Sequence, residues 1–156
     1  MVSHVDHRAA DIAEHIYQLQ QASYAVERDV IDYADFPPLR VTAADIRQEP
    51  GTFLGVWAGE ALLGILSFTA TPQVLDIGRL IVHPSAFRRG IASQLLSAAE
   101  HSATGQPHLT VSTAEKNQPA VALYQKHGYR ILKRSQLPDG LVLVRLIKEL
   151  AQNACR

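Results

Sequence analysis

Arg88, Arg89 and Gly90 are the residues whose types and spacing most clearly suggest a binding chemistry. Before them, Leu75 to Val82 is apolar and β-branched, as in a buried strand. Pro84 ends that strand because proline has no N–H for a ladder. From Gly90 onward the apolar period changes to about 3.6, which predicts a helix. Two arginines and a glycine therefore lie at a helix N-terminus.

This N-terminus could bind an anion. The first turn of a helix presents N–H groups without intrahelical partners, and the helix dipole makes that end electropositive. Gly90 lets a phosphate approach the backbone, and Ala92 keeps the next exposed position small. Arg88 and Arg89 add positive charge. The alternative is a well-capped helix with two solvated arginines.

Two longer motifs favour the anion site. Leu80-Ile-Val-His-Pro, followed by Arg88-Arg-Gly-Ile-Ala-Ser-Gln-Leu-Leu, resembles the acyl-CoA-binding motif of the GNAT family of N-acetyltransferases. Asn117-Gln-Pro-Ala-Val-Ala-Leu-Tyr-Gln-Lys-His-Gly-Tyr resembles the second signature of that family, at the expected separation. The resemblance covers roughly Phe53 to Leu150. Phe87 departs from the family's usual Gln or Arg, but the amide cradle does not use that side chain, so we expect CoA binding to survive.

The resemblance implies that acetyl-CoA is the cosubstrate and lies between two central strands that splay apart, here Leu75 to Val82 and His108 to Thr113. The family reaction needs no metal, and the histidines have no recognisable ligand spacing. Two sets of backbone groups would bind the cosubstrate. The pantetheine arm would be bound by Leu80, Ile81 and Val82, and the pyrophosphate by Arg88, Arg89, Gly90, Ile91, Ala92 and Ser93.

Tyr124 matches the family tyrosine whose hydroxyl serves the leaving thiolate as general acid. The alternative is a half-buried packing residue, since Tyr124 shares a helix face with Ala120 and Leu123. Asn117 would contact CoA, but the role of helix N-cap explains an asparagine there equally well.

A general base is harder to assign. Many family members have Glu where this sequence has Gly78. Asp76 lies on the same strand face and could deprotonate the acceptor through water, although it could also be a solvated strand-end residue. Glu115, just after the second strand, is a similar candidate, and an amine of low pKa would need no strong base.

The acceptor site of the family is built from the first helices, their connecting loop and the late hairpin. This points to Tyr33, Phe36, Pro37 and Pro38 as pocket walls, or as residues that close the core. His83 precedes Pro84, where the family often has a histidine, and we interpret it as a structural residue. Phe53 and Trp57 belong either to the core or to the cleft, and the sequence does not separate these readings. Swapping Phe36 for Ala should change the acceptor KM more than the acetyl-CoA KM.

Length and composition predict one globular domain over residues 1–150 and a polar tail over 151–156. Fifteen basic residues balance fifteen acidic ones, which argues against a nucleic-acid or membrane-surface partner. Cys155 permits no intrachain disulfide, and neither a signal peptide nor a bilayer-spanning run is evident. These observations predict a soluble cytoplasmic protein.

The order of the elements predicts a mixed, twisted α/β sheet with helices on both faces. Before the first motif, Val2 to His7 offers at most a brief edge strand, where the family usually has a full one. The helix that follows could break near Ala22-Ser23, and Gly64 suggests a bulge or a close approach. The predicted helices are Asp11 to Ile31, Thr42 to Gln48, Arg89 to Ala103 and Asn117 to Gly128. The predicted strands besides the two motif strands are Phe53 to Ala58, Ala61 to Ala70, Tyr129 to Arg134 and Leu141 to Leu150.

The sequence thus predicts an acetyl-CoA-dependent N-acetyltransferase that acts on a primary amine of a small molecule or a peptide. Family members often form homodimers, and the apolar strand Leu141 to Leu150 could contribute to one. The alternative is a non-catalytic acyl-CoA-binding sensor or scaffold, which the departures at Gly78 and Phe87 favour.

Overall fold

A seven-stranded mixed sheet organises the molecule, which we describe from a computed structural model over residues 1–31 and 40–150. The strands run in the order β1-β2-β3-β4-β5-β7-β6, and every neighbouring pair is antiparallel except the parallel pair β4–β5. This agrees with the predicted mixed α/β fold. The strands are β1 (Val2–Val5), β2 (Thr52–Ala58), β3 (Ala61–Ala70), β4 (Val74–Val82), β5 (His108–Ala114), β6 (Arg130–Gln136) and β7 (Val142–Glu149).

Helices cover both faces of the sheet, as predicted. Helices α1 (Ala10–Ile31) and α2 (Ala43–Gln48) bury Ile16 and Ile46 against one face. Helices α3 (Ile91–His101) and α4 (Gln118–Lys126) pack Leu95, Leu96 and Val121 against the other. Burial of a side chain of this size contributes about 1.5–3 kcal/mol relative to exposure, so these two apolar layers hold the helices on the sheet.

The N-terminal residues form a short edge strand, in line with the sequence. All four residues of β1 pair with β2. The suggested break in the first helix was wrong, because α1 is continuous through Ala22 and Ser23. Alanine is the best helix former and serine is tolerated, so neither residue imposes a break.

Gly64 in β3 combines the two properties that its position suggested. The pairing of β3 with β2 shifts register beside it, and a methyl group on Gly64 would lie 2.8 Å from Ile91 Cγ2. The glycine therefore lets α3 approach the sheet closely, at the helix end that carries the predicted anion site.

The described part of the chain places β7 between β5 and β6, with both of its edges paired. Its inward residues Val144 and Leu146 are fully buried in the core. Its apolar character is therefore used within the sheet, and the edge at this end of the sheet is β6.

Candidate functional site

The parallel strands β4 and β5 pair at one end and separate at the other. Pairing runs over four residue pairs, from Val74 opposite His108 to Ile77 opposite Val111. Beyond this point both strands continue without pairing to each other. On the other side of β4, Ile77 and Arg79 face consecutive residues of β3, so Gly78 is the extra residue of a β-bulge. Because a bulge bends its strand, it accounts for the separation at this point.

A cleft of about 240 Å³ opens where the strands part. Its walls come from β4, β5, α1, α4 and the start of β7. Three of the predicted site residues line it, namely Leu80, Asn117 and Tyr124. Residues from two strands, an early helix and a late helix thus meet in one cavity.

Tyr124 is almost fully buried, at 5% exposure, and it packs edge to face against Tyr129 with ring centroids 5.7 Å apart. Within the described ranges its hydroxyl has no hydrogen-bond partner. Burial raises the pKa of Tyr124, and the charges of Glu27 and Tyr24 raise it further. The hydroxyl therefore stays protonated at any ordinary pH and is available as a donor inside the cleft.

Asn117 is the N-cap of α4. Its Oδ1 accepts a hydrogen bond from the Ala120 N–H at 3.3 Å, which confirms the capping role. Its Nδ2 donates to Glu27 Oε1 at 2.7 Å. The same side chain therefore ties α1 to the helix that carries Tyr124.

Glu27 is a cleft residue that the sequence reading missed. It lies on α1, lines the cleft and shares the environment of Tyr124. Burial raises the pKa of Glu27, and the hydrogen bond from Asn117 offsets part of that rise. The signal was its spacing, because Gln20, Tyr24 and Glu27 continue the inward helical face of Ile16 with polar side chains.

Arg79, a second missed residue, forms the charged wall of the cleft. It donates to both carboxylate oxygens of Glu49, at 2.7 and 2.6 Å. Its guanidinium also lies 5.2 Å from the ring centroid of Phe53. Burial raises the pKa of the adjacent Tyr24 to about 12, although the charge of Arg79 opposes this. Since Arg79 is paired with Glu49, the described residues that line this part of the cleft carry a net negative charge from Glu27.

The two predicted candidates for a base do not line the cleft. Asp76 lies at the paired end, where Thr110 Oγ1 donates to its Oδ1 at 2.6 Å and Arg145 approaches to 3.4 Å. Glu115 forms an ion pair with Arg134. The structure therefore does not bring either carboxylate together with Tyr124.

The predicted anion site lies at the start of α3, which begins at Ile91 rather than at Arg89. Gly90 is the N-cap, with φ of 77°, and it provides no side-chain hydrogen bond. Arg88 also has a positive φ of 67°, an uncommon conformation for a residue with a side chain. A methyl group on Gly90 would contact nothing within 4 Å, so the approach to the first-turn N–H groups is open.

Nearby side chains support this loop. Ser93 Oγ and His127 Nε2 lie 2.9 Å apart and link α3 to the end of α4. His83 Nδ1 accepts a hydrogen bond from the Ser85 N–H at 3.1 Å, a structural role as expected. Phe87 is 46% exposed, so its side chain does not fill the core.

The remaining predicted cleft residues divide into two groups. Phe53 is 1% exposed and belongs to the core, and Trp57 packs edge-on against His15 of α1. The proposed pocket walls Tyr33, Phe36, Pro37 and Pro38 lie outside the described residues.

Across residues 1–31 and 40–150, no three His, Cys, Asp or Glu side chains are grouped as a metal site requires. No helix in these ranges has the length and apolarity to cross a bilayer.

Comparison with known proteins identifies the family. Residues 13–129 match the sequence profile of the acetyltransferase (GNAT) family. This range spans most of the sequence, and the chain therefore belongs to that family, as its two motifs predicted.

Two curated proteins are similar to this chain in sequence, and one solved structure is similar to it in fold. The chain is 32% identical over 143 residues to the UPF0157 protein YqkA of Bacillus subtilis, covering 92% of the chain and 42% of that protein. It is 30% identical over 91 residues to the peptidyl-lysine N-acetyltransferase YiaC of Escherichia coli, covering 55% of the chain and 60% of that protein. The chain thus spans about half the length of these two relatives.

The solved structure is that of PaiA N-acetyltransferase from Thermoplasma acidophilum in complex with coenzyme A. It superposes with a TM-score of 0.78 at 15% identity, covering 96% of this chain and 99% of the other. This similarity shows that the two chains share a fold.

Proposed function

We propose that this chain transfers an acetyl group from acetyl-CoA to a primary amine, with Tyr124 as the donor to the leaving thiolate. The observation that carries the proposal is the cleft between the separated halves of β4 and β5, with Tyr124 in its wall. Membership of the GNAT family supports acetyl-CoA as the cosubstrate.

The backbone fits a pantetheine arm and a pyrophosphate. After Ile77, no strand of residues 1–31 and 40–150 pairs with the edge of β4 that faces β5, so its backbone groups can pair with the amides of an extended ligand. This edge contains the expected residues Leu80, Ile81 and Val82. It leads to the open N-terminus of α3, where the amides of Arg88 to Ser93 would bind the diphosphate.

Tyr124 would act where the sulfur leaves. Its buried hydroxyl stays protonated, and a donor held close to a departing thiolate stabilises the charge that develops in the transition state. Burial is the main cause of the raised pKa of Tyr124, and neutralising the negative charge nearby would remove the smaller, electrostatic part of that rise and favour proton transfer. The hydrogen-bond network of Asn117 and Glu27 provides a site for such a change.

The acceptor is an amine in this proposal. A cleft lined by a carboxylate and by the apolar side chains of Leu141 and Leu143 fits a cationic head on an apolar stem. A lysine side chain has this composition, and the relative YiaC is described as a peptidyl-lysine N-acetyltransferase. We extend that acceptor class to this chain as part of the proposal.

The competing function is a non-catalytic acyl-CoA binder, which Gly78 favours because it removes the side chain that many family members use as a base. An amine-dependent release of free thiol separates the two functions. We expect release with at least one of three acceptors: a lysine peptide with a blocked N-terminus, an alanine peptide with a free N-terminus, or n-butylamine. Binding of acetyl-CoA without any such release would favour the binder.

Titration calorimetry with acetyl-CoA tests the cosubstrate site. The side chain and charge of Gly90→Glu should block the diphosphate, and we expect binding to weaken at least about 100-fold, as for an unfavourable charge contact in a partly buried site. Gly59→Glu is the matched control, because Gly59 also has a positive φ and open space around it, but lies in the β2–β3 turn. Equal binding by the two variants would contradict the assignment.

A further inference from the structure

Many family members have a glutamate where this chain has Gly78, and the cleft contains a carboxylate from a different element. We propose that Glu27 of α1 is the general base that takes the proton of the attacking acceptor amine. This inference rests on the proposed acetyltransferase function and assigns a catalytic residue within the same cleft.

The position of Glu27 suits the role of a base. Glu27 and Gly78 line the same cleft, so the carboxylate from α1 shares the cavity in which the β4 side chain is missing. Within the described residues, Asp76 and Glu115 are held in ion pairs away from this cavity. Glu27 is therefore the carboxylate that shares a cavity with Tyr124.

Asn117 fixes the orientation of the Glu27 carboxylate. Asn117 Nδ2 donates to Glu27 Oε1, while Asn117 Oδ1 is fixed by the backbone of α4. One carboxylate oxygen is thereby held, and the carboxylate keeps acceptor capacity for a ligand. Because Tyr124 lies on α4 as well, the asparagine sets the base and the acid at a defined separation.

The groups that face Glu27 determine its charge. Tyr24 lies one turn away on α1, Tyr124 and the neutral Asn117 come from α4, and Arg79 of β4 reaches Tyr24 but is neutralised by Glu49. Leu143 supplies an apolar wall from β7. Burial raises the pKa of Glu27, and the hydrogen bond from Asn117 offsets only part of that rise, which makes Glu27 a better base than an exposed glutamate.

The proposed reaction conserves every proton. The acceptor loses one proton to water and enters the attack as a neutral amine. Its nitrogen forms a bond to the thioester carbonyl carbon and gives a second proton to Glu27. The C–S bond breaks with its electron pair on sulfur, and the sulfur receives the hydroxyl proton of Tyr124. The proton on Glu27 then returns to Tyr124 through solvent, which restores both groups.

This sequence couples the two residues. The charge of Glu27 is one cause of the raised pKa of Tyr124, so a proton on Glu27 removes that effect. Tyr124 thus becomes a stronger acid when the thiolate needs a proton. The base and the acid are interacting sites whose titrations belong to the pair.

The test is the pH dependence of kcat/KM for wild type and Glu27→Gln, measured as thiol release with the best acceptor of the panel above. Glutamine has nearly the same shape and can still accept from Asn117, so the variant should fold. We expect kcat/KM to fall about 100-fold at pH 8, within the usual range for general-base catalysis. The acidic limb of the profile should lose the titration of Glu27, so that only the deprotonation of the acceptor amine remains in it. Calorimetric binding of acetyl-CoA should stay within about threefold of wild type, because Glu27 is not among the residues assigned to the cosubstrate.

Two further variants complete the experiment. Glu27→Asp retains a carboxylate and should preserve the acidic limb with a reduced rate. Glu14→Gln, the same change at an exposed position of α1, should match wild type. An active wild type with an unchanged profile in Glu27→Gln would overturn the assignment of Glu27 only. A wild type that binds acetyl-CoA but releases thiol with no acceptor would overturn the proposed function, and the assignment with it.

Discussion

The two ends of the β4–β5 pair differ in how they use a carboxylate. At the paired end, Asp76 is held by Thr110 and Arg145, and the sheet is closed by backbone hydrogen bonds. At the splayed end, Glu27 reaches a cleft and is held by one neutral donor, Asn117. The Asp76 carboxylate is thus occupied by contacts within the sheet, whereas burial beside a neutral donor raises the pKa of Glu27.

One pair of strands therefore has two roles: its paired end supports the sheet, and its splayed end forms the cleft in which we place the reaction. Ladder hydrogen bonds at Val74–Ile77 fix the relative position of the strands. The bulge at Gly78 then releases them, so the following backbone groups remain available to a ligand. Changes at the paired end should therefore reduce stability, and changes at the splayed end should reduce activity.

The largest expected effect is on stability at the paired end. Leu109 of β5 is fully buried, and Leu109→Ala leaves a cavity in the core. We expect the free energy of unfolding to fall by about 3 kcal/mol, as for other buried leucines. Urea denaturation measures this, and a loss below about 1 kcal/mol would show that the paired end is not a rigid support.

The next effect is on activity at the splayed end. Tyr124→Phe removes a hydroxyl that has no hydrogen-bond partner in the described residues. We expect kcat at saturating acetyl-CoA to fall about 100-fold, which corresponds to about 2.7 kcal/mol. The free energy of unfolding should be retained within about 0.5 kcal/mol, since only a surface of the cleft changes. An unchanged kcat would refute the acid role and leave Tyr124 as a packing residue.

Stability against pH gives a smaller and more specific signature at the splayed end. Because the folded-state pKa of Glu27 is raised, its contribution to stability is full below the ordinary glutamate pKa and is lost as the pH rises through the folded-state value. Glu27→Gln should therefore unfold at the same or a higher urea concentration than wild type at pH 8. This advantage should vanish near pH 4. A variant that is markedly less stable at pH 8 would indicate that Glu27 has a structural role.

The smallest effect is expected from Asp76→Asn. The side chains of the Asp76–Arg145 pair are 40% and 41% exposed, so solvent screens the interaction. We expect the free energy of unfolding to fall by less than about 1 kcal/mol. The loss of kcat/KM at pH 8 should be much smaller than that for Glu27→Gln. The reverse order of the two activity losses would return the base to β4, as the sequence suggested.

Much of the fold was predictable because local signals agreed with it. Asn117 caps the helix that it was expected to cap, and Thr42 caps α2 at its predicted start. The Pro-Asp-Gly pattern between β6 and β7 is typical of a turn, and the Gly140 N–H donates to the Leu137 carbonyl there. The splay of β4 and β5 came from the resemblance to a family. No local pattern shows that two strands pair at one end only, since that depends on the bulge at Gly78 and on side chains from distant elements.

The site was predictable where it lies in a motif and was missed where it does not. Tyr124 and Asn117 fall in the second motif. Glu27 and Arg79 come from a helix and a strand position with no motif, and they reach the cleft through tertiary packing. Asp76 had the right residue type on the expected strand, but it lies at the paired end, beside Arg145. Residue spacing predicts on which face of a helix or strand a side chain lies, but the contacts of that face depend on the tertiary fold.

Amide hydrogen exchange with and without acetyl-CoA tests the central claim, that the splayed end binds the cosubstrate while the paired end only supports it. Saturating acetyl-CoA should slow exchange in peptides that contain Leu80 to Val82 and Arg88 to Ser93. Peptides that contain Val74 to Asp76 and His108 to Thr110 should exchange as in the free protein. Protection confined to the paired end, or absent from both regions while calorimetry shows binding, would contradict this account of the cleft.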